Sequence, residues 1–332
     1  MADNIKKNAN GEDAMAYNLT GGKPWHHKGN PVNGDLTDEE IERVMPFEYF
    51  HEPLYVKRNG VYQEVQTHDA ITIDDTNTIM GVGGRTVSIY QPKDCAKFIR
   101  ALSDEGVRVE TVGALGKGER IWFLMHEPKG KFEVFKGDET RMYILVTNAY
   151  DFTAALEARY TGIRAVCENT VNAAVKGAPA CVKIKHTANM HQRAAEAAEI
   201  FKGYVRANAT FKEAMQYLAK HPVNDKLIRE FEDSMFGELN KTEEGRAQTI
   251  LKNKREKFEE LVLHGRGTEI KGVVGSAYGM FNAYTEYQDW HSTVRNAKTD
   301  DGDVDRTNSI LFGQASKLKS KALEVALVLT GR

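Results

Sequence analysis

Apolar residues change their period partway along the chain. From Tyr55 to Asn148 they recur in short runs separated by polar turns, the two-residue rhythm of strands. The pattern predicts strands at Val61–Val65, Ala70–Ile73, Val107–Leu115, Arg120–His126 and Arg141–Thr147, with a glycine-broken stretch over Thr78–Tyr90 that bends at Gly81, Gly83 and Gly84. Met142, Ile144 and Val146 alternate with Tyr143 and Leu145. One helix interrupts this half. Pro92 opens it, Cys95, Phe98, Ile99 and Leu102 share a face over Lys93–Asp104, and Gly106 ends it. Glu127-Pro128-Lys129-Gly130-Lys131 reads as the turn of a hairpin joining Arg120–His126 to Phe132–Phe135.

Beyond Asn148 the period lengthens to that of helices. Ala149–Tyr160 reads as helix or loop and Glu168–Val175 as a helix, with Cys181–Ile184 closing the last strand. Thr187–Ala207 carries Met190, Ala194, Ala197, Phe201 and Tyr204 on one stripe. Helical patterns continue over Phe211–His221, Asp225–Phe236, Thr242–Leu263, Gly272–Trp290 and Gln314–Leu329, with an acidic loop at Thr299–Arg306. At the other end, residues 1–40 are rich in Asn, Gly and Asp around Pro24-Trp25, and Thr37-Asp38-Glu39-Glu40 is a capping box that starts a short helix toward Met45. The expected fold is α+β: an antiparallel or mixed sheet with packed helices in the N-terminal half and a mostly helical C-terminal half. The expected division is a flexible arm with a short helix at 1–45, a sheet domain at 46–185 and a helical region at 186–332.

Composition supports a folded chain: 332 residues, 41% hydrophobic. No apolar run is long enough for a membrane span or a secretory leader, and the three cysteines form no CxxC pair, so the chain reads as cytoplasmic. The net charge of −2 excludes a uniformly basic protein. Its distribution says more: 181–220 carries +4, while 1–60 carries −3 and 221–260 carries −2.

That basic block holds a candidate nucleic-acid strip. Lys183 and Lys185 alternate with Val182 and Ile184, and His186, Arg193 and Lys202 follow. A one-sided row of cations suits a sugar–phosphate backbone, and an ordinary solvated face is the other reading. Arg164 is a candidate phosphate fork just ahead of Cys167, Asn169 and Thr170, with a helix cap and a buried Cys as the alternative. Tyr278, Phe281, Tyr284, Tyr287 and Trp290 recur at threes; Tyr284 and Tyr287 are candidates for base stacking, against core packing. Glu286 and Asp289, one turn apart with Asn282 on the same stripe, are the weak candidates for a divalent cation; no other cofactor is expected. Gly113-Ala114-Leu115-Gly116-Lys117-Gly118 lacks the Ser or Thr of a phosphate loop and reads as a turn between strands. None of the ten histidines has HExxH spacing.

These blocks resemble, in order, a family of phage/plasmid-like proteins built around the bacterial domain of unknown function nine-three-two. The resemblance rests on Pro24-Trp25-His26, on Gly113-Ala114-Leu115 leading to Arg120-Ile121-Trp122, and on the signature Arg164-Ala165-Val166-Cys167-Glu168-Asn169-Thr170. It continues through Lys185-His186-Thr187 and Asn282-Ala283-Tyr284-Thr285-Glu286-Tyr287. Ala165 stands where the family commonly has Val, and Tyr150-Asp151-Phe152-Thr153 where it usually shows a His-Asp-Gly run. The resemblance implies a home in phage or plasmid genomes and no settled activity. Sequence thus points first to a protein that binds single-stranded DNA or another nucleic acid in replication or recombination, self-associating and free of membranes. The alternatives are a metal-dependent enzyme on a phosphorylated or nucleic-acid substrate, built on Arg164, His186, Glu286 and Asp289, and a non-catalytic host-interaction protein.

Overall fold

The structure is a computed structural model and describes residues 5–19, 29–103, 106–164, 169–172, 181–206, 208–239, 245–293, 309–310 and 313–332. Its centre is a mixed sheet. The strands are β1 (Met15–Asn18), β2 (Asn30–Val32), β6 (Arg108–Leu115), β7 (Arg120–Glu133), β8 (Glu139–Ala149), β9 (Leu156–Arg164), β10 (Asn169–Asn172) and β11 (Cys181–Ile184). They run in the order β10-β9-β8-β7-β6-β1-β2, and β11 pairs with the near end of β9. Among the described residues, only the β1–β2 pair is parallel.

The hydrophobic rhythm explains one face. Val112, Ala114, Ile121, Phe123, Met125, Met142, Ile144 and Val146 point together into a core continuous with the helices. A second sheet of three strands, β3 (Tyr49–Arg58), β4 (Val61–Ile73) and β5 (Thr78–Gly84), runs in that order. Its glycines admit the main body. A Cβ on Gly83 would come within 2.7 Å of the Phe152 ring, and one on Gly81 within 3.1 Å of the Asp151 backbone.

The helices are α1 (Asp38–Val44), α2 (Pro92–Ser103), α3 (Met190–Arg206), α4 (Asn208–Lys220), α5 (Asp225–Phe236), α6 (Arg246–His264), α7 (Ala277–Glu286), which ends in a π-helical turn over Tyr287–His291, and α8 (Gln314–Leu329). Thr37 caps α1 with the expected box: its side chain accepts from the Glu40 N–H, and Glu40 returns the bond. The α+β class and the sheet-rich N-terminal half are as the sequence predicts.

Several local expectations differ. Residues 15–18 of the expected loose arm form β1, inside the main sheet between β2 and β6. Val61–Val65 and Ala70–Ile73 belong to one thirteen-residue strand. The 127–131 turn is instead an irregularity within β7, which pairs with β8 on both sides of it; the hairpin turn comes at 134–138, where Gly137 takes a left-handed φ of 86°. Within the stretch read as helix or loop lies the start of β9, and the described part of the Glu168–Val175 helix is strand β10. The acidic loop at 299–306 lies outside the described residues.

Candidate nucleic-acid interface

Strand β11 sets the strip. Its register with β9 places Lys183 opposite Glu157 and Ile184 opposite Leu156. Ile184 is buried, so alternation sends Lys183 and Lys185 to the surface. Arg193, on the first turns of α3, is also exposed. Lys183 pairs with Glu157, which also accepts from Arg159 at 2.6 Å, so its charge is largely spent within the protein. Lys185 and Arg193 have no ion-pair partner among the described residues and are the cations offered to solvent. The side chain of Lys202 lies outside the described residues.

His186 does not add a charge to this strip at neutral pH. Half-buried, it meets the Ser88 carbonyl through Nδ1 at 3.1 Å and stands edge-on to Phe152 at 5.4 Å. Burial pushes its pKa below the usual histidine value, so the ring is neutral and structural. Thr187 is exposed and its hydroxyl bonds Asn189 at 2.8 Å.

Other predicted site residues turn inward. Arg164 grips Asp138 with both arms of its guanidinium, Nε to Oδ1 at 2.6 Å and Nη2 to Oδ2 at 2.8 Å, and donates to the Arg266 carbonyl at 3.2 Å. Its guanidinium also lies 5.4 Å from the Tyr278 ring centroid. Asp138 is fully buried, and a buried carboxylate requires a counter-charge and filled lone pairs. Arg164 is therefore a fork for the protein's own carboxylate, not for a phosphate. Tyr284 and Tyr287 are buried as well. Tyr284 packs against Phe231 at 5.7 Å and Phe236 at 5.4 Å, and Phe236 meets Tyr287 at 5.4 Å. No face of these rings is open to a base.

The carboxylates of α7 are likewise engaged. Glu286 accepts the Arg266 N–H at 2.8 Å, and burial raises its pKa against the pull of Arg266 and Arg164. Asp289, on the π-helical turn, takes a 2.6 Å bond from Lys319 of α8, both groups being buried. Asn282 donates to the Tyr278 carbonyl one turn back. Arg164, His186, Glu286 and Asp289 thus do not share one pocket: Arg164 and Glu286 meet at the 265–267 loop, Asp289 is bound to α8, and His186 sits against Ser88 and Phe152. Trp25 and Cys167 lie outside the described residues, as do the side chains of Asn169 and Thr170.

Exposed aromatics occur elsewhere, where strand alternation alone did not mark them. β3 and β4 continue past the body as a two-stranded ribbon. The β3–β4 register shifts between Pro53 and Tyr55, with the extra residues on β4; by β3's own alternation Tyr55 and Lys57 lie on the same face as Pro53, whose row continues through Asp69 to Gly83. Lys57 pairs in register with Tyr62, and its Nζ stands 5.3 Å from that ring's centroid. Tyr55 and Tyr62 are both exposed. Gly83, at the base of this face, touches Phe152, and Phe152 touches His186, the neighbour of Lys185. The aromatic face of the ribbon and the lysine strand therefore flank one junction.

Fold and surface together define an α+β protein whose mixed sheet is joined to a projecting three-stranded wing. Residues 80–311, more than half of the chain, match the family described as Domain of unknown function (DUF932), and the chain belongs to it. β3 and β4 lie ahead of the matched span. No curated protein and no solved structure matches the chain. Among the described residues no helix is long and apolar enough to cross a membrane, and no group of three or more His, Cys, Asp or Glu is placed to hold a metal ion.

Proposed function

We propose that this chain is a phage- or plasmid-encoded protein of the bacterial cytoplasm that binds single-stranded nucleic acid during replication or recombination, as a self-associating assembly. The observation that carries the reading is the junction just described, with exposed Lys185 on one side, followed by exposed Arg193 on α3, and Tyr55, Lys57 and Tyr62 on the ribbon's side. Cations neutralise the backbone while aromatic rings stack bases, a combination that binds single strands with little sequence preference. The footprint is smaller than the sequence implied: Arg164, Tyr284 and Tyr287 hold the core, and His186 braces the junction.

A fluorescence anisotropy titration with labelled oligothymidylate across a salt series tests this. Binding should weaken log-linearly with salt, and Lys185→Glu with Arg193→Glu should lower the slope by about 1.4, from about 0.7 per lost phosphate contact on a single strand. Unchanged affinity in that double variant, with unchanged folding, overturns the proposal.

A further inference from the structure

The other face of the three-stranded sheet is apolar and open. Phe50, Thr72 and Ile79 form one row across it, and Glu52, Ala70 and Val82 the next. Thr72 and Ala70 are small and sit buried between large neighbours, which leaves Phe50, Ile79 and Val82 as raised ridges. The β4 pairing is irregular between Pro53 and Tyr55, where β4 holds the extra residues; β3's own alternation carries the same face on through Leu54, Val56 and Arg58, with Gln63 and Val61 paired to the last two. Phe50, Val56, Val61, Ile79 and Val82 are each between 46% and 62% exposed. Among the described residues, seven of the thirteen exposed large hydrophobic residues belong to β3, β4 and β5, so the exposure is concentrated here rather than scattered.

This face is not built to stand alone. From Pro53 the ribbon runs out to Arg58, about 17 Å at ~3.3 Å per residue, and a two-stranded ribbon is marginal in water without a further layer. Strand addition at the β3 edge is blocked in its middle by Pro53, which has no N–H to give. The broad apolar surface offered to a partner is therefore the face.

We propose that the partner is a second copy of this chain, docked by a two-fold axis against the outer face of β3, β4 and β5. The charges select it. Glu52 lies toward the base of the face and Arg58 toward its tip, both exposed and neither ion-paired among the described residues. A two-fold axis through the middle of β3 sets Arg58 of each copy against the other copy's Glu52, Leu54 against Val56, and Phe50 against the small Gly60 turn. An isologous interface needs this self-complementarity. A nucleic acid is disfavoured on this side, because Phe50 is its single exposed ring among aliphatic ridges that do not stack bases, and Glu52 repels phosphates.

Sedimentation velocity of the full-length chain, from about 1 to 100 µM, a range chosen to bracket micromolar dimerisation, tests the proposal. Wild type should show a concentration-dependent dimer. Glu52→Arg alone and Arg58→Glu alone should each weaken it at least about tenfold, by setting like charges face to face. The double change Glu52→Arg/Arg58→Glu should restore it, and mixing the two single variants should give a heterodimer. Far-ultraviolet circular dichroism of each variant should match wild type. A wild-type monomer throughout overturns the proposal, as does a dimer indifferent to both single changes or a double variant that fails to recover. If the single changes abolish oligothymidylate binding while the mass stays monomeric, the face belongs to nucleic acid and the proposal also fails.

Discussion

The body and the wing of this protein invert each other. In the body, charges lie inside: Arg164 with Asp138, Lys319 with Asp289 and Arg159 with Glu157, all buried. In the wing, Phe50, Val56, Val61, Tyr62, Ile79 and Val82 lie outside. Neither pattern follows from hydropathy. A buried charge is tolerable where a partner of opposite sign and filled hydrogen bonds accompany it, so these pairs fix how distant segments meet, such as α7 on α8 or β9 on the turn before β8. Exposed apolar residues carry no such constraint and are available to a partner. Body side chains should therefore govern stability, and wing side chains association.

The sharpest break of this contrast is Asp138→Ala. It leaves the Arg164 guanidinium buried without its counter-charge and should cost about 3–5 kcal/mol in denaturant unfolding; a loss below ~1 kcal/mol would mean that Arg164 escapes to water. Lys319→Met strands Asp289 in the same way and should cost about 3 kcal/mol, and adding Asp289→Leu should recover most of it, since a matched apolar pair replaces an ion pair at little loss. The tyrosines divide along the same line. Tyr62→Ala should shift unfolding by no more than about 0.5 kcal/mol yet weaken oligothymidylate binding by about 1–3 kcal/mol, whereas Tyr284→Ala should unfold the aromatic cluster before binding can be measured.

A smaller effect concerns two carboxyls that burial raises to about 7: Glu110 on β6, whose Tyr143 and His126 neighbours lie at 3.4 and 3.6 Å, and Glu232 on α5, where Arg255 at 3.5 Å does not offset the lost solvation. Both folded values lie above the unfolded value of about 4.3. Between those values the folded chain holds protons that the unfolded chain has released, so their contribution to stability is full below about pH 4.3 and falls as pH rises to about 7. Chemical denaturation at pH 4.5 and pH 8 should show a smaller decrease in a Glu110→Gln/Glu232→Gln variant than in wild type. An identical decrease would mean that neither carboxyl is held protonated.

Sequence was a good guide where structure is local. Asp225–Phe236, Gln314–Leu329 and Cys181–Ile184 have the bounds that period and punctuation predict, and the Thr37 box caps its helix as expected. It misled where both sides of a segment are covered. Glu157, Arg159 and Thr161 fill one face of β9 with polar groups covered by remote segments; their alternation with Leu156, Ala158 and Tyr160 begins only at the end of the Ala149–Tyr160 stretch, which as a whole passes for helix or loop. The same cause misplaced the site. Arg164 reads as a surface cation because nothing local announces Asp138, twenty-six residues earlier. Tyr284 and Tyr287 read as stacking candidates because their neighbours Phe231, Phe236 and Phe258 are remote in sequence. Tyr55 and Tyr62 went unmarked because alternation says which residues share a face but not whether anything covers it.

The place of β1 has a consequence in time. Met15 pairs with Gly113 and Tyr17 with Thr111, so this strand is translated long before its antiparallel neighbour β6 exists. Closing so long a loop is slow, and until it closes Met15-Ala16-Tyr17 has no partner on that side. A segment made early in synthesis is among those that must wait longest for its place, and the nascent chain carries an exposed adhesive strand through that interval.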